Sequence, residues 1–398
     1  MTPWLHIIGI GEDGEAGLAP AARAVLADAQ VILGGDRHHA LASNPGAARV
    51  AWPSPFDAMI DTIQGLRGRR AVVLVTGDPL WFSVGARIAR AIAPDQIVFH
   101  PALSAFQLVA ARLGWSLADT ETLSIHGRPA EQVIPFLAPG ARLILLTTGA
   151  DTPAQVAALL TARGYGASRM VVLSAMGGAH EARAEAQAQD WQGPVPPFNT
   201  LAVECVAGPG AVVLPRVPGL PDSAFVHDGK MTKAEVRAIT LARLMPFRGA
   251  LLWDIGAGSG SIGIEWMRAA ADARAIAIEP RADRRALAAA NAQALGTPRL
   301  EIRDGTAPGA LAGLPAPDAV FIGGGLACEV VDLALAALKP FGRLVANAVT
   351  LESEALLLAL HARLGGELTR LSVQRAAPVG GLTGWRPLMP VTQWSLLR

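Results

Sequence analysis

Leu251-Leu252-Trp253-Asp254-Ile255-Gly256-Ala257-Gly258-Ser259-Gly260-Ser261-Ile262-Gly263-Ile264-Glu265-Trp266 decides how the chain is read. An apolar run ends at an acid. Glycines follow at every second position, and then a helical pattern begins. The order predicts a buried parallel strand, a tight turn and a helix N-terminus. Glycine lets the backbone bend sharply and lie close to a ligand, because no Cβ intervenes. The N–H groups of the first helical turn have no partner inside the helix and face a carboxylate or phosphate.

Gly258, Gly260 and Gly263 satisfy the G-x-G-x-x-G dinucleotide fingerprint, and Glu279 follows about 20 residues on, at the end of the next predicted strand. Three features favour a different ligand. Asp254 precedes the glycines, where it accepts from an ammonium group and repels a pyrophosphate. The run D-x-G-x-G-x-G is tighter than a dinucleotide turn needs. A further acidic loop, Arg303-Asp304-Gly305-Thr306, follows the third predicted strand. Together these suit S-adenosylmethionine. Asp254, Gly256, Gly258, Ser259 and Gly260 would lie near its methionine end, Glu279 on the ribose hydroxyls, and Asp304-Gly305 at the adenine edge. A structural turn with surface acids is the plainer alternative, and three motifs in order on successive strands weigh against it.

A chain of 398 residues is too long for one ordinary domain, so two are expected. Half the residues are apolar and the net charge is +1, which supplies two cores and leaves no nucleic-acid or membrane-surface footprint. No apolar run approaches the roughly 18 residues of a membrane span. Met1-Thr2-Pro3-Trp4 opens a strand without a basic leader, so the expected location is cytoplasmic. Cys205 and Cys328 fall in predicted buried segments of different halves and read as inert core thiols, with no disulfide and no metal. The single tyrosine, Tyr165, is followed by Gly166-Ala167-Ser168-Arg169, so a Tyr-x-x-x-Lys dehydrogenase pair is absent.

Lysine is rare against arginine, and Lys230 and Lys233 share one segment, His227-Asp228-Gly229-Lys230-Met231-Thr232-Lys233. A compact point charge there suits a carboxylate ligand. The same stretch reads as a capped helix start, with Thr232 as N-cap and Glu235 three residues on. Thr232 is also placed among the cofactor-binding residues.

In the first half, strands are predicted over 4–10, 31–33, 71–76, 122–124, 143–147, 170–174 and 201–206. Gly9-Ile10-Gly11-Glu12-Asp13-Gly14 again matches G-x-G-x-x-G, with Asp36 after the next strand. Glu12 and Asp13 would place two like charges against a pyrophosphate, which favours a tight loop instead. Gly34-Gly35-Asp36-Arg37-His38-His39 lies at a strand's C-terminal end, where α/β sites gather. Its histidines read as surface or substrate-side groups, since no third metal ligand has suitable spacing. Thr76-Gly77-Asp78-Pro79-Leu80-Trp81 ends an apolar strand: Gly for close approach, Asp as acceptor, Pro to fix the exit. Ser104, in His100-Pro101-Ala102-Leu103-Ser104-Ala105-Phe106, is the expected N-cap of the next helix. Ala175-Met176-Gly177-Gly178 and Asn199-Thr200 are loops expected near a ligand.

Gly9-Ile10-Gly11, Thr76-Gly77-Asp78-Pro79, the 101–105 turn and the 199–204 strand resemble the tetrapyrrole (corrin/porphyrin) C-methylases over about residues 4–207. That resemblance implies two α/β lobes with S-adenosylmethionine in a trough between them, lined by Gly77, Asp78, Pro79, Trp81, Ser104, Ala105 and Met176. Glu12-Asp13 departs from the family's usual glycine-proline-glycine loop.

Beyond a Pro/Gly-rich stretch (209–221), strands at 251–255, 275–278, 300–303, 319–322 and 344–347 alternate with helices. This is the pattern of a doubly wound parallel sheet. Strands 368–374 and 391–396 close it as an antiparallel pair, joined by the Gly/Pro-rich 378–390. The 225–233 segment, the Asp254 glycine run, Ala277-Ile278-Glu279-Pro280-Arg281, Gly305-Thr306-Ala307-Pro308, Phe321-Ile322-Gly323-Gly324-Gly325 and Ala346-Asn347-Ala348-Val349-Thr350 resemble the decarboxylating corrin methyltransferase domain. At Gly323-Gly324-Gly325 the backbone is expected to pass close to substrate or cofactor.

The expected fold class is therefore α/β: an N-terminal two-lobed tetrapyrrole methylase (class III methyltransferase) fold over 1–208, a linker over 209–221, and a C-terminal Rossmann-like class I methyltransferase/decarboxylase fold over 222–398. The resemblance implies one S-adenosylmethionine per domain and a precorrin tetrapyrrole substrate in aerobic cobalamin synthesis. It implies methylation at carbons 5 and 15, decarboxylation of the ring-C acetate, and a homo-oligomer formed through the C-terminal domain. Lys230, Lys233 and Arg237 are the residues expected to hold substrate carboxylates; Lys233 and Arg237, four apart, would share a helix face. On the residues alone, a nicotinamide enzyme using either glycine turn and a binding protein with one degenerate half stay open.

Overall fold

The computed structural model describes residues 3–398. The chain divides into two compact units, residues 1–130 with 138–212 and residues 213–398 with 131–137.

In the first unit, β1 (Leu5–Ile10), α1 (Pro20–Ala27), β2 (Val31–Gly34), α2 (Asp36–Ala40), β3 (Ala48–Ala51), α3 (Met59–Gln64), β4 (Ala71–Thr76), α4 (Gly85–Ala91), β5 (Ile97–His100) and α5 (Ala105–Leu113) build the first lobe. Its sheet is all parallel, in the order β3-β2-β4-β1-β5. Helices cover both faces of such a sheet, so its strands read as unbroken apolar runs. Ile7, Leu33 and Val73 fill one core, and Ile8, Ile32 and Leu74 fill the other. Edge strand β3 was not predicted: its Ala-Arg-Val-Ala is mostly exposed and carries no apolar run.

The second lobe holds β6 (Glu121–Ser124), β7 (Arg142–Leu146), α6 (Thr152–Ala162), β8 (Arg169–Ser174), β9 (Ala182–Gln187) and β10 (Asn199–Glu204). Its order is β6-β7-β10-β8-β9, with β6 parallel to β7 and the remaining pairs antiparallel. Strand β9 is exposed along nearly its whole length and likewise gave no apolar signal.

The second unit runs α7 (Ala234–Leu244), β11 (Leu251–Ile255), α8 (Ser261–Ala269), β12 (Arg274–Ile278), α9 (Ala282–Ala294), β13 (Glu301–Arg303), β14 (Ala319–Ile322), α10 (Cys328–Ala337), β15 (Arg343–Ala348), α11 (Leu351–Leu364), β16 (Glu367–Leu371), β17 (Gln374–Val379), β18 (Leu382–Pro387) and β19 (Val391–Leu397). The sheet order is β13-β12-β11-β14-β15-β19-β16, parallel through β15, with β19 antiparallel to both its neighbours. The strand order reverses between β11 and β14. In a doubly wound sheet, ligands bind at that crevice, outside the C-terminal strand ends.

Two expectations change. The 378–390 stretch is largely a β-hairpin, with Val379 paired to Leu382 across the two-residue loop Gly380-Gly381. Gly380 has φ +60, which a tight hairpin turn favours. Its Leu382 and Trp385 are exposed, Trp385 at 73%. Cys205 is buried, but Cys328 opens α10 at an exposed position, because it stands at a helix start and not inside an apolar strand.

Candidate functional sites

In the first unit, the turns after β1 and β4 meet the turn ahead of α5. A Cβ on Gly9 would lie 1.9 Å from the Gly77 carbonyl oxygen, so only glycine admits that crossing. Gly77 itself has φ +63, and a Cβ there would come 3.0 Å from Ser104 Cα. Asp78 Oδ1 accepts from Leu80 N–H at 2.7 Å, closing the turn on itself. Ser104 is the N-cap of α5, as expected, and Gln107 Oε1 accepts its N–H at 2.6 Å. Ser104 Oγ is buried with no hydrogen-bond partner among the described residues.

These turns wall a cavity of about 810 Å³ between the two lobes of this unit. Gly77, Trp81, Ser104, Ala105 and Met176 line it. Asp78 and Pro79 do not; they shape the turn behind it, with the Pro79 carbonyl packed where a Cβ on Gly85 would fall. Trp81 and Phe82 are exposed, and their rings lie 5.4 and 5.6 Å from the buried Phe106 ring.

Glu12 and Arg37 form an ion pair on the wall, so the departure in the first glycine loop brings its own counter-charge. The Arg37 guanidinium stands 4.2 Å over the Phe198 ring. His38 accepts from Gly35 N–H at its Nδ1 (3.2 Å), and its Nε2 meets Thr76 Oγ1 (3.0 Å). Burial, with the Arg37 charge adding, lowers the His38 pKa to about 4, so it is neutral. Asn199 braces the second lobe: Thr147 Oγ1 donates to its Oδ1 at 2.8 Å, and its Nδ2 donates to the Pro196 carbonyl at 2.9 Å.

The sequence reading missed His126, Arg128, Thr147 and Thr148, which also line the cavity. His126 and Arg128 follow directly on β6, and Thr147 and Thr148 on β7. The strand-end rule that singled out Gly77 applied to them equally.

In the second unit, Gly256, Gly258 and Gly260 have φ of +71, +57 and +76, so the turn after β11 uses a left-handed residue at every second position. A Cβ on Gly256 would lie 2.6 Å from Gly324 N, which explains both glycine runs at once: the ends of β11 and β14 touch backbone to backbone. Asp254 is fully buried. Its Oδ2 accepts from Gly263 N–H at 2.9 Å, one of the free donors of the first turn of α8. Its Oδ1 has no partner among the described residues. Burial raises its pKa to about 7, with the Glu279 charge adding to the effect. Glu279 accepts from Gly258 N–H at 2.9 Å and from Arg281 N–H at 3.1 Å, so it holds the glycine turn. Ser259 Oγ is buried without a partner among the described residues, and the Ser259 carbonyl accepts from Asn291 Nδ2 at 3.0 Å. Asn291 also exchanges two hydrogen bonds with the Val226 backbone and so ties the 225–226 segment to the turn; the sequence reading missed it. Asp304 is held by Arg285 through two bonds of 2.8 and 3.0 Å.

The basic segment divides. Among the described residues, neither the Lys230 nor the Lys233 ammonium meets a carboxylate, and Lys230 is exposed. Arg237 turns inward instead of facing open space. Its side chain is 0% exposed. Nε bonds Glu265 Oε1 at 2.8 Å and Nη1 bonds Asp222 Oδ1 at 2.8 Å. The Leu220 and Thr232 carbonyls take its remaining donors, and the Phe225 ring lies 4.8 Å away. Lys233, not Thr232, is the N-cap of α7, and the capping acceptor is Asp222 Oδ1, which takes the Ala234 N–H at 2.9 Å. Because Lys233 stands at the cap and Arg237 turns inward, the two do not form a common binding face.

Among the described residues, no three His, Cys, Asp or Glu side chains converge as metal ligands, and no helix is long and apolar enough to cross a membrane.

Residues 4–191 match the model of the tetrapyrrole (corrin/porphyrin) methylases, and residues 223–398 match that of the precorrin methyltransferase domain. Fold and motifs thus define a two-domain tetrapyrrole methyltransferase. The chain is 50% identical, over 99% of its length and 96% of the relative, to the precorrin-6Y C(5,15)-methyltransferase (decarboxylating) of a Sinorhizobium species. It is 39% identical, over 98% of its length and 99% of the relative, to the protein of the same name from Mycobacterium tuberculosis. A crystal structure of the C-terminal domain of the Rhodobacter capsulatus precorrin-6Y C5,15-methyltransferase is 53% identical; the match covers 46% of this chain and 100% of that one, with a TM-score of 0.44. The chain belongs to the family of the decarboxylating precorrin-6Y C(5,15)-methyltransferases, whose members are methyltransferases and decarboxylases.

Proposed function

We propose that the chain methylates carbons 5 and 15 of a precorrin macrocycle and decarboxylates its ring-C acetate in the aerobic route to cobalamin, with one S-adenosylmethionine site in each unit. The observation that carries this reading is the match over nearly the whole chain to relatives named for that reaction. We also place the enzyme in the cytoplasm and assign self-association to the second unit.

The residues fit the cofactor. Ser104 Oγ in the first unit and Asp254 Oδ1 and Ser259 Oγ in the second are buried polar atoms without partners among the described residues, a state that folded proteins rarely leave unless a ligand or water supplies the partner. Asp254 would accept from the cofactor's ammonium group, Glu279 from its ribose, and Gly256, Gly258 and Gly260 would give the backbone its close approach. Asp304, with Gly305, would stand at the adenine edge while Arg285 holds its carboxylate. Gly77, Trp81, Ser104, Ala105 and Met176 would line the first site, with Asp78 and Pro79 setting its turn. When bound, the cofactor supplies an electrophilic methyl group for in-line displacement. The chain's part is to align the two reactants and exclude water. Lys230 and Lys233, which meet no carboxylate among the described residues, would hold macrocycle carboxylates. For decarboxylation the conjugated macrocycle is itself the electron sink, so the protein needs only to leave the reacting acetate poorly solvated.

The test is calorimetric titration of the full chain with S-adenosylhomocysteine, followed by mass spectrometry of the product from a precorrin-6Y incubation. Two sites, two methyl groups gained and one carbon dioxide lost are expected. Binding of a nicotinamide dinucleotide without S-adenosylhomocysteine would remove the reading.

A further inference from the structure

Every methyl transfer to a macrocycle carbon has a proton to dispose of. The carbon's π pair forms the new C–C bond, the C–S pair stays on sulfur, and the cationic macrocycle returns to its former charge by losing one proton.

Few side chains on the wall of the first cavity are bases. Among the described residues the one carboxylate on the wall, Glu12, is ion-paired with Arg37. Among them no lysine, tyrosine or cysteine lines it, and the histidines are His38 and His126. His38 spends both ring nitrogens within its own lobe, on Gly35 N–H and on Thr76 Oγ1. His126 is different. Its Nδ1 lies 2.9 Å from the Thr147 carbonyl, which only accepts, so Nδ1 carries the hydrogen and Nε2 keeps its lone pair. Among the described residues nothing engages that Nε2, and the residue is exposed on the cavity side.

The turn that carries His126 is fixed. Gly127, with φ +64, donates to Thr148 Oγ1 at 3.0 Å, Thr148 Oγ1 donates to the Ile125 carbonyl at 2.9 Å, and Arg128 N–H returns to the same carbonyl at 3.1 Å. Two threonines after β7 thus hold the loop after β6. Of the cavity arginines, Arg37 is paired with Glu12 and Arg87 with Asp57, while the exposed Arg128 pairs with no carboxylate among the described residues. An unpaired guanidinium two residues from an unpaired imidazole nitrogen faces the same space.

We propose that His126 Nε2 accepts the proton released by methyl transfer in the first cavity, and that Arg128 binds a carboxylate of the macrocycle beside it. This rests on the function proposed above. The proton passes from the methylated macrocycle to Nε2 and from there to solvent, so the cycle needs no further reactant.

The test uses the full chain, its His126→Gln and Arg128→Met variants, precorrin-6Y as substrate and S-adenosylhomocysteine as binding probe. H126Q is expected to slow one of the two methyl transfers by about 10²-fold or more, the usual contribution of a positioned base. It should leave S-adenosylhomocysteine affinity unchanged. R128M is expected to raise KM for the macrocycle about tenfold at unchanged kcat, the loss of one charge-assisted hydrogen bond. Both methylations at the wild-type rate in H126Q, with the probe still bound, would overturn the proposal and leave the proposed function standing. Loss of probe binding in H126Q alone would make the residue a brace of the cofactor site and overturn it as well. A wild-type chain that binds no probe would overturn both.

Discussion

Replacing Arg237 by methionine separates a structural cation from a substrate-binding one. The guanidinium is fully buried, and its removal leaves the Glu265 carboxylate, itself 1% exposed, with Gly219 N–H (2.6 Å) and Leu220 N–H (3.1 Å) as its donors among the described residues. Burial already pushes the Glu265 pKa upward, with the Arg237 charge opposing that shift. Breaking one member out of a buried pair costs about 3–5 kcal/mol, most of it the stranded charge. The Leu220 and Thr232 carbonyls lose their donor too. For a unit of this size, about 2–4 °C per kcal/mol converts the loss into a fall of about 6–20 °C in the melting transition of the second unit. Differential scanning calorimetry of the full chain reads it. Arg237→Met with Glu265→Gln should recover a large part of the loss, since no charge is then stranded. If Arg237→Met melts with the wild type yet binds the precorrin less tightly, the guanidinium reaches the substrate and the burial argument is refuted.

Asp254→Asn should change the pH dependence of stability. The Asp254 pKa, raised from 3.8 to about 7, means that between those values the folded state keeps a proton the unfolded chain has lost. Its contribution is full below pH ~4 and fades as pH rises through 7, by up to roughly 4 kcal/mol over the three-unit shift. Asparagine keeps the acceptor for Gly263 N–H, so chemical denaturation at pH 5 and pH 8 should show a smaller fall for the variant; equal slopes would sink the prediction. Gly256→Ala adds a Cβ 2.6 Å from Gly324 N at φ +71 and should abolish S-adenosylhomocysteine binding in the second unit while sparing the first, read as a drop from two calorimetric sites to one. Arg285→Ala breaks a partly exposed pair with Asp304 and should move stability by no more than about 1 kcal/mol, checked by the same calorimetry.

The parallel strands were legible because burial on both faces writes them as apolar runs, and the glycine turns because left-handed backbone and close crossings demand glycine. Asp254 and Gly77 were read from those constraints. The elements missed, β3, β9 and the β17–β18 hairpin, lie at edges or stand free, where alternation with polar residues or proline hides the strand. Arg237 was misread because its partners, Asp222 and Glu265, are 15 and 28 residues away, and helix spacing reports only which residues share a face, not whether that face is dry. His126 gave no compositional signal; what distinguishes it is a nitrogen left over once Thr147 has taken the other.

Strand β19 fills the gap between β15 and β16 although it follows both in sequence, and Trp394 at its middle is fully buried. During translation β16 therefore leaves the ribosome with no partner on its pairing edge, and the whole β17–β18 hairpin must be made before that partner exists. Until then the nascent chain carries two open strand edges, the kind that pair with another copy. The second unit thus closes late, after every other strand of its sheet has been made. A chain that ended inside β19 would keep its glycine turn and lack a finished sheet.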